Sequence, residues 1–478
     1  MQQNVCIAHA TTLKALMKKL SLFVLLFFTV PISVFAAESS GTGHGGIGKT
    51  FLWIAIILVV AGIAKMVERK GQPAVLGEIL AGVVLGNLAL IGIHVFEPMK
   101  SDAALKFLAE FGVGILLFQI GLESTVGKMR KVGAVAFVVA IVGVVTPFIL
   151  GYFGSRWLID GISTHAALFI GATLTATSVG ITARVLKDLG KLQTRESQII
   201  LGAAVIDDIL GLIILAVIGA IVTTGSVGLT AVSVIVLKSM AFLGGAIIIG
   251  QLAAPRLSYM FSRIHTGHAM KLITALVFFL VFAFFAEFMG LAPIVGAFAG
   301  GLVLEAVHFR GFRDPDLVTD MEELREILER NLDQSASALI QSEFDVVGKL
   351  AHAKDRHIEE LVESLSFMFT PIFFVMTGMS VNLAALGNTS ILGVALMLTL
   401  VAMLGKLVCG LVSGKGTDRW VVGFGMAPRG EVGLIFANIG LALGVVTSSV
   451  FSVVVIVVML TTLATPPILA TLLQRQKS

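Results

Sequence analysis

Long apolar segments, separated by short polar ones, run along most of the chain. Thirteen of these segments are long enough to cross a bilayer, and glycine, proline or charge bounds each of them. None shows the ten-residue alternation of a transmembrane barrel strand, so we predict helices. The segments are 50–67, 73–94, 104–122, 132–154, 163–183, 197–222, 227–252, 269–289, 291–308, 362–384, 389–413, 418–444 and 449–473. The pattern predicts an all-α polytopic membrane protein with about 13 transmembrane helices.

Composition excludes several other classes of protein. Of the 478 residues, 56% are hydrophobic and 13% are charged, which is too apolar for a water-soluble domain of this size. Cys6 and Cys409 lie near opposite ends of the chain without metal-ligand spacing, so neither a disulfide framework nor a zinc site is indicated. His265 and His268 form an H-x-x-H without further ligands. We therefore expect no resident metal site.

Residues 1–36 have the features of a secretory signal peptide. From Met17 the chain has a basic start, a short apolar run and a Val-Phe-Ala cleavage signal that ends at Ala36. Because two lysines follow Met17, we interpret it as the true initiator. The alternative is a first membrane anchor that is retained. Cleavage after Ala36 would leave the mature N-terminus outside the cell.

Basic residues indicate the same orientation. If the mature chain begins outside, the odd-numbered loops are cytoplasmic, and the cationic clusters fall in those loops, at 69–70, 128–131, 184–195, 256–271, 415–419 and 475–477. The pattern predicts a multi-pass protein of the cytoplasmic membrane with a cytoplasmic C-terminus. The net charge of +4 belongs mostly to these loops, so nucleic acid is not indicated as a partner.

A long polar insert, residues 309–361, separates predicted helices 1–9 (50–308) from helices 10–13 (362–473). Within it, TDMEELREILERNL opens with a capping box from Thr319 to Glu322 and carries apolar residues on one face. This pattern predicts a short amphipathic cytoplasmic helix for regulation or docking. A solvated insertion without such a role is the alternative.

Asp207, Asp208 and Lys406 are ionisable residues that lie deep inside apolar segments. Asp207 and Asp208 interrupt LGAAVIDDILGLIILA near the centre of the sixth segment, and Lys406 interrupts TLVAMLGKLVCGL in the eleventh. Such groups are costly in a bilayer and mark ion pathways by default. Left unpaired, Lys406 would lose its proton, whereas opposite Asp207 it would stay charged. We predict that Asp207 and Lys406 pair; a Lys406 side chain that reaches back to the cytoplasmic face is the alternative.

Two segments have sequences that favour broken helices. GATLTATSVGITAR places Thr175, Thr177 and Ser178 at mid-depth in the fifth segment, and GFGMAPRGEVGLI places Pro428, Arg429 and Glu431 at similar depth in the twelfth. Unwound backbone is tolerated there only beside protein or a water-filled cavity. The two segments run in opposite directions, and each belongs to a similar trio of helices. We therefore predict inverted repeats whose broken helices cross at a midplane ion site, with Arg429 and Glu431 balancing half-helix dipoles or serving structure alone.

These residues resemble the monovalent cation:proton antiporter superfamily, in particular its sodium/proton exchangers with a double aspartate. The motifs of the resemblance occur in order over nearly the whole mature chain: PAVLGEILAGVVLGN, FLAEFGVGILLFQIGLES, TSVGITARVLKDLG, AAVIDDILGL, GLAPIVGAFAGGLVLE, TPIFFVMTGMSVNL and GMAPRGEVGLI. The insert at 309–361 is longer than the usual link of this family. No nucleotide-binding domain follows Ser478, so we do not expect the glutathione-gated potassium-efflux subgroup.

The resemblance implies a homodimeric transporter without a cofactor rather than an enzyme. It implies a core domain, built from the two trios, that slides against a dimerisation domain. The family's ion-binding carboxylate falls on Asp208, and Asp207 is implied to pair with Lys406. This aspartate–aspartate–lysine set is associated with electrogenic exchange.

Competition for one site is the mechanism that these residues favour. A carboxylate in mid-membrane can bind a proton or a dehydrated alkali cation, supported by nearby hydroxyl and carbonyl oxygens, but rarely both. We predict exchange of Na⁺ for H⁺, with Li⁺ or K⁺ as other possible cations. Asp208 would be the direct ligand, Asp207 with Lys406 would couple protons, and Thr175, Thr177 and Ser178 would support the site. The alternatives are a potassium efflux channel or transporter, a K⁺/H⁺ antiporter, and a cation sensor that signals through the insert.

Overall fold

The computed structural model describes residues 45–70, 72–124, 126–224, 229–304, 346–381, 383–384 and 389–475. The predicted signal peptide, with Cys6, lies outside these residues. So does the amphipathic helix predicted near Thr319. The described residues include most of every predicted apolar segment.

The described residues form fifteen α-helices, three short 3₁₀-helices and no strand. The α-helices are α1 (Gly45–Ala64), α2 (Ala74–Gly86), α3 (Ala103–Glu123), α4 (Val126–Leu158), α5 (Thr164–Thr173), α6 (Val179–Asp188), α7 (Arg195–Thr224), α8 (Leu229–Ile264), α9 (His268–Phe288), α10 (Pro293–Val303), α11 (Val346–Met379), α12 (Thr389–Gly410), α13 (Arg419–Gly425), α14 (Glu431–Ala442) and α15 (Ser448–Arg475).

Within the described part of the chain, eight helices are long and apolar enough to cross a membrane alone, or nine if the bent α8 is one span. The protein is therefore a multi-pass, all-helical membrane protein. Each predicted apolar segment contains at least one helix, and the segments 163–183 and 418–444 contain two each. The count of thirteen crossings stays a prediction, because several helices are shorter than a full span.

The helices pack into two bundles. The flanking bundle consists of α1, α2, α3, α9, α10 and α11, which contact one another. The core bundle consists of α4 to α7 and α12 to α15, and it contains both trios identified in the sequence. Helix α8 connects them through contacts with α7, α9 and α10. Between the bundles, α6 contacts α2 and α3, and α15 contacts α2.

Glycine pairs let helices of the flanking bundle approach closely. A Cβ on Gly82 of α2 would meet the Val375 carbonyl oxygen of α11, and a Cβ on Gly378 would meet the Ile79 carbonyl oxygen in return. Small residues at such contacts allow backbones to pack without lipid between them. The PAVLGEILAGVVLG and MTGM sequences therefore serve helix packing.

Helix α8 bends by 45° between Gly250 and Leu252. Pro255 lies within the helix just after the bend. A proline has no N–H to donate to the carbonyl four residues earlier, and its ring clashes with that carbonyl, so it kinks a helix at this position.

Helix α11 begins inside the segment predicted as a polar insert. The insert was predicted to end at 361, but the helix starts at Val346 and continues without a break to Met379. Among its described side chains, Ile358 and Val362 are buried, whereas Glu360 on the opposite side of the helix is exposed. The polar residues of the other face lower the average hydropathy, which hides the start of the helix from a search for apolar segments.

Candidate functional site

Two interrupted helices lie at the centre of the core bundle. Helix α5 ends at Thr173 and α6 begins at Val179; α13 ends at Gly425 and α14 begins at Glu431. The interruptions fall within the GATLTATSVGITAR and GFGMAPRGEVGLI stretches that the sequence predicts as unwound. Each interruption leaves backbone N–H and C=O groups without helical partners, and these need partners elsewhere.

The two interruptions satisfy each other's polar groups. The backbone N–H of Ser178 donates to the Pro428 carbonyl oxygen at 2.8 Å. The Thr177 hydroxyl donates to the Met426 carbonyl at 3.2 Å, and the Thr182 hydroxyl donates to the Gly425 carbonyl at 2.6 Å. The broken helices are therefore joined through hydrogen bonds at the point where they meet.

Beside this junction lies a buried ion pair. Lys406 Nζ of α12 is 3.2 Å from one carboxylate oxygen of Asp207 and 3.3 Å from the other. The Lys406 side chain is fully buried, and Asp207 is 2% exposed. Gly143 of α4 lies next to the ammonium, since a Cβ there would be 3.6 Å from Nζ. The structure therefore brings together the two residues that the sequence pairs.

The second aspartate has a different environment. Asp208 follows Asp207 on α7, so the two side chains diverge by about 100° around the helix. Asp208 is 8% exposed, compared with 2% for Asp207. The Lys406 ammonium contacts Asp207, and Asp208 is the more accessible carboxylate of the two.

Arg429 joins the junction to α12. Its guanidinium donates to the Ala176 carbonyl at 3.1 Å and to the Ala402 carbonyl at 3.3 Å, and its own carbonyl accepts a hydrogen bond from Thr462 of α15. Arg429 is fully buried and within electrostatic reach of Asp207. Its charge therefore lies near the C-terminal end of α5, where the helix dipole favours a cation.

Oxygen atoms of the first interruption differ in their hydrogen bonding. The Thr175 hydroxyl donates to the Ala172 carbonyl at 2.7 Å. The Ser178 hydroxyl is buried and has no hydrogen-bond partner among the described residues. Gly430 leaves room for it, because a Cβ on Gly430 would lie 2.6 Å from Ser178 Oγ. The interruption thus presents one unpartnered buried oxygen.

A family model described as "Sodium/hydrogen exchanger, transmembrane" matches residues 54–329 and 346–475 of the chain. The chain belongs to the sodium/hydrogen exchanger family. It is 33% identical over 434 residues to the high-affinity Na⁺/H⁺ antiporter NhaS3 of Synechocystis sp., with 84% of each chain covered. It is also 33% identical over 426 residues to the Na⁺/H⁺-K⁺ antiporter GerN of Bacillus cereus, covering 88% of this chain and 95% of that one.

The same architecture occurs in a solved exchanger structure. The sodium proton antiporter MjNhaP1 of Methanocaldococcus jannaschii superposes with a TM-score of 0.56 over 90% of this chain and 97% of that one, at 16% identity. At this identity the likeness concerns the fold. The all-helical exchanger fold expected from the sequence is therefore shown.

Not every site residue predicted from this exchanger's sequence has a described contact. Pro428 takes part through its carbonyl, and the side chain of Glu431 lies outside the part of the chain that the structure describes, although its backbone begins α14. Thr182 and Thr462 were missed by sequence reasoning, although both contact the junction. Their position on a helix face that points toward a predicted break is the signal that could have identified these two threonines.

Proposed function

We propose that this exchanger carries Na⁺ against H⁺ across the cytoplasmic membrane by alternating access. The observation that carries the proposal is the buried Asp207–Lys406 pair beside the junction of two broken helices. Half-helix ends and irregular backbone at such a junction are suited to hold an ion. The relatives named as Na⁺/H⁺ antiporters support sodium as the cation.

Asp208 is proposed as the carboxylate that binds either cation or proton. It is more accessible than Asp207, and Asp207 is the carboxylate that the Lys406 ammonium contacts at 3.2 Å. A dehydrated Na⁺ needs several oxygen ligands, and the unpartnered Ser178 hydroxyl is one candidate near the junction. The Thr175 and Thr177 hydroxyl oxygens keep lone pairs after donating to carbonyls, so they are further candidates.

Charge balance supports competition between the two ions. Two carboxylates, Asp207 and Asp208, and two cations, Lys406 and Arg429, give the buried group a net charge of zero when all four are ionised. Binding of either Na⁺ or H⁺ at Asp208 raises this charge by one unit. A second added charge is costly in a low-dielectric site, so one ion displaces the other.

Lys406 is proposed to couple a further proton. A cation bound near Asp207 competes with the ammonium for the carboxylate, which favours release of the Lys406 proton. If this proton is carried together with the Asp208 proton, two H⁺ move in one direction for each Na⁺ that moves in the other. Exchange would then be electrogenic and would respond to membrane voltage.

We further propose that the protein acts as a homodimer with an external N-terminus and a cytoplasmic C-terminus. The positive-inside distribution supports the orientation. A potassium efflux path is not favoured by the relatives, which are named as antiporters of Na⁺ and H⁺ in the cases of NhaS3 and the Enterococcus hirae protein.

The test is a proton-flux assay in proteoliposomes that contain a pH-sensitive dye. Na⁺, Li⁺ and K⁺ are added in turn, with the voltage clamped by an ionophore. We expect Na⁺-dependent proton movement in the wild type and in Asp160→Asn, a matched control at an exposed carboxylate. Asp208→Asn should lose it while still inserting and eluting as a folded protein. Normal exchange by Asp208→Asn would refute its role, and cation flux without proton movement would favour a channel.

A further inference from the structure

A second group of charged side chains lies between the two bundles, away from the ion site. Arg184 of α6 is almost fully buried; its Nε is 2.8 Å from Asp188 of the same helix, and its Nη2 is 3.9 Å from Glu78 of α2. Asp188 also accepts a hydrogen bond from the backbone N–H of Ala74, at the start of α2, at 3.1 Å. The C-terminal half of α6 therefore holds the N-terminal end of α2 through charged groups.

The same helix contacts two more helices of the flanking bundle. Lys187 Nζ donates to Gln119 Oε1 of α3 at 2.6 Å and lies 3.3 Å from Glu363 of α11. Gln119 in turn donates to Glu123 at 3.2 Å. Burial lowers the pKa of the Lys187 ammonium, and the negative charges of Glu363 and Glu123 oppose this effect. Three helices of the flanking bundle are thus joined to one helix of the core bundle.

These contacts are sensitive to the position of the core bundle. Helix α6 begins one residue after Ser178, so the ion site and the charged contacts lie at the two ends of a single ten-residue helix, about 15 Å long. A shift by one helical turn is about 5.4 Å, which exceeds the length of any hydrogen bond. Alternating access by a shift of this size, on which this inference rests, would break these contacts.

Water can reach the group when it opens. Gln119, Glu123, Lys187 and Glu363 line a cavity of about 220 Å³ that also borders the loop after α6. The cavity has room for several water molecules. Charged groups released from the contacts would be hydrated there instead of being buried without partners in an apolar interface. Hydration lowers the free-energy cost of reversible opening. Glu78 is more loosely held, because neither of its carboxylate oxygens has a hydrogen bond among the described residues.

We propose that Arg184, Lys187 and Asp188 of α6, together with Glu78, Gln119, Glu363 and the Ala74 N–H, form a latch that holds the core bundle in the position seen here and opens once in each transport cycle. We call this group the α6 latch. It acts on the distribution between the two transport conformations, and it does not bind the transported ion.

A disulfide between the bundles reports this position directly. A Cβ on Gly180 of α6 would lie 2.9 Å from Val113 Cγ2 of α3, so Val113→Cys with Gly180→Cys places two thiols in contact when the latch is closed. The pair is introduced after Cys6→Ser and Cys409→Ala. Oxidation by copper phenanthroline then measures the ratio of cross-linkable to non-cross-linkable protein.

Removing latch charges should lower this ratio. For Arg184→Gln and for Lys187→Gln we expect a decrease of roughly tenfold, the population shift that corresponds to about 1.4 kcal/mol. Lys191→Gln removes a charge just beyond α6 and should leave the ratio unchanged. The charge-swapped double variant Lys187→Glu/Glu363→Lys should restore the cross-linking ratio. A ratio lowered by loss of folding would not be restored in this way. An unchanged ratio in both folded latch variants would overturn the proposal.

Proton flux, measured on the wild type and on the latch variants without the cysteine pair, separates the latch from the proposed function. If the wild type shows Na⁺-dependent proton movement and the latch variants leave cross-linking unchanged, the latch alone is wrong. If no variant or wild type shows exchange, the proposed function fails. A changed cross-linking ratio would still support the latch as a contact that governs the bundle position.

Discussion

The Asp207–Lys406 pair gives the sharpest test of the site, through a double-mutant cycle. At 3.2 Å and an effective dielectric constant of about 20, the Coulomb attraction is roughly 5 kcal/mol. Asp207→Asn leaves a buried ammonium without its carboxylate, and Lys406→Met leaves a buried carboxylate without its ammonium. Each single change should lower the free energy of unfolding by about 3–5 kcal/mol.

The double variant should be far less destabilised than either single one. Asn and Met carry no charge, and replacing a whole buried ion pair by neutral groups of similar volume is often close to neutral. We therefore expect a coupling free energy of at least about 3 kcal/mol. The double variant should lose the proton transport that depends on Lys406. The response of its proton flux to voltage should therefore weaken even though the protein is folded.

Thermal unfolding of detergent-solubilised protein measures the ranking. The midpoint temperature of Asp207→Asn/Lys406→Met should lie above those of both single variants. The matched control is the exposed pair Glu97–Lys100, 2.9 Å apart, for which the same cycle should give a coupling of at most about 1 kcal/mol. Single effects that simply add up at Asp207 and Lys406 would refute the ion pair.

Two further variants test how the site is held in place. A Cβ on Gly405 would lie 2.8 Å from Pro147 Cα of α4, so Gly405→Ala should lower the free energy of unfolding by about 1–3 kcal/mol and slow proton flux. Gly393 lies on the same helix with open space around it, so Gly393→Ala should change neither quantity. Thr182→Val removes the hydrogen bond to the Gly425 carbonyl and should lower the free energy of unfolding by about 1–3 kcal/mol, measured by thermal unfolding. The control is Thr173→Val, because the Thr173 hydroxyl donates to a carbonyl of its own helix. An effect of Thr182→Val no larger than that of the control would contradict the prediction.

Much of the site follows from the sequence because charges and helix-breaking residues are rare in apolar segments. A lysine within the eleventh segment needs a carboxylate, and the adjacent aspartates of the sixth segment are the deepest ones available. This makes the contact between Lys406 and Asp207 predictable. The interruptions are equally visible, since Pro428 and clustered threonines disfavour an unbroken helix.

The partners of Arg429 could not be predicted in the same way. The sequence suggests Glu431 as a balancing charge, but the described hydrogen bonds of Arg429 go to the carbonyls of Ala176 and Ala402. Backbone carbonyls carry no sequence signal, because every residue has one. Only the three-dimensional crossing of the broken helices reveals which carbonyls lack helical partners.

The α6 latch was hidden for a different reason. Arg184 and Lys187 were interpreted as members of a basic loop, and the positive-inside pattern is satisfied whether they are exposed or buried. Their structural role depends on Glu78, Gln119 and Glu363, which come from three distant segments. Neither periodicity nor charge pattern predicts which helix ends become neighbours, so the latch required the packed structure.

The connection of site and latch through α6 constrains how ion binding can drive transport. An ion can shift the bundle equilibrium only by its differential affinity for the two conformations, and part of that free energy has to open the latch. The apparent affinity at each face depends on the fraction of protein that is open to that face. A weaker latch therefore has to raise the apparent cation affinity at one face and lower it at the other. A change of the same sign at both faces would instead place Arg184 and Lys187 in the binding site itself.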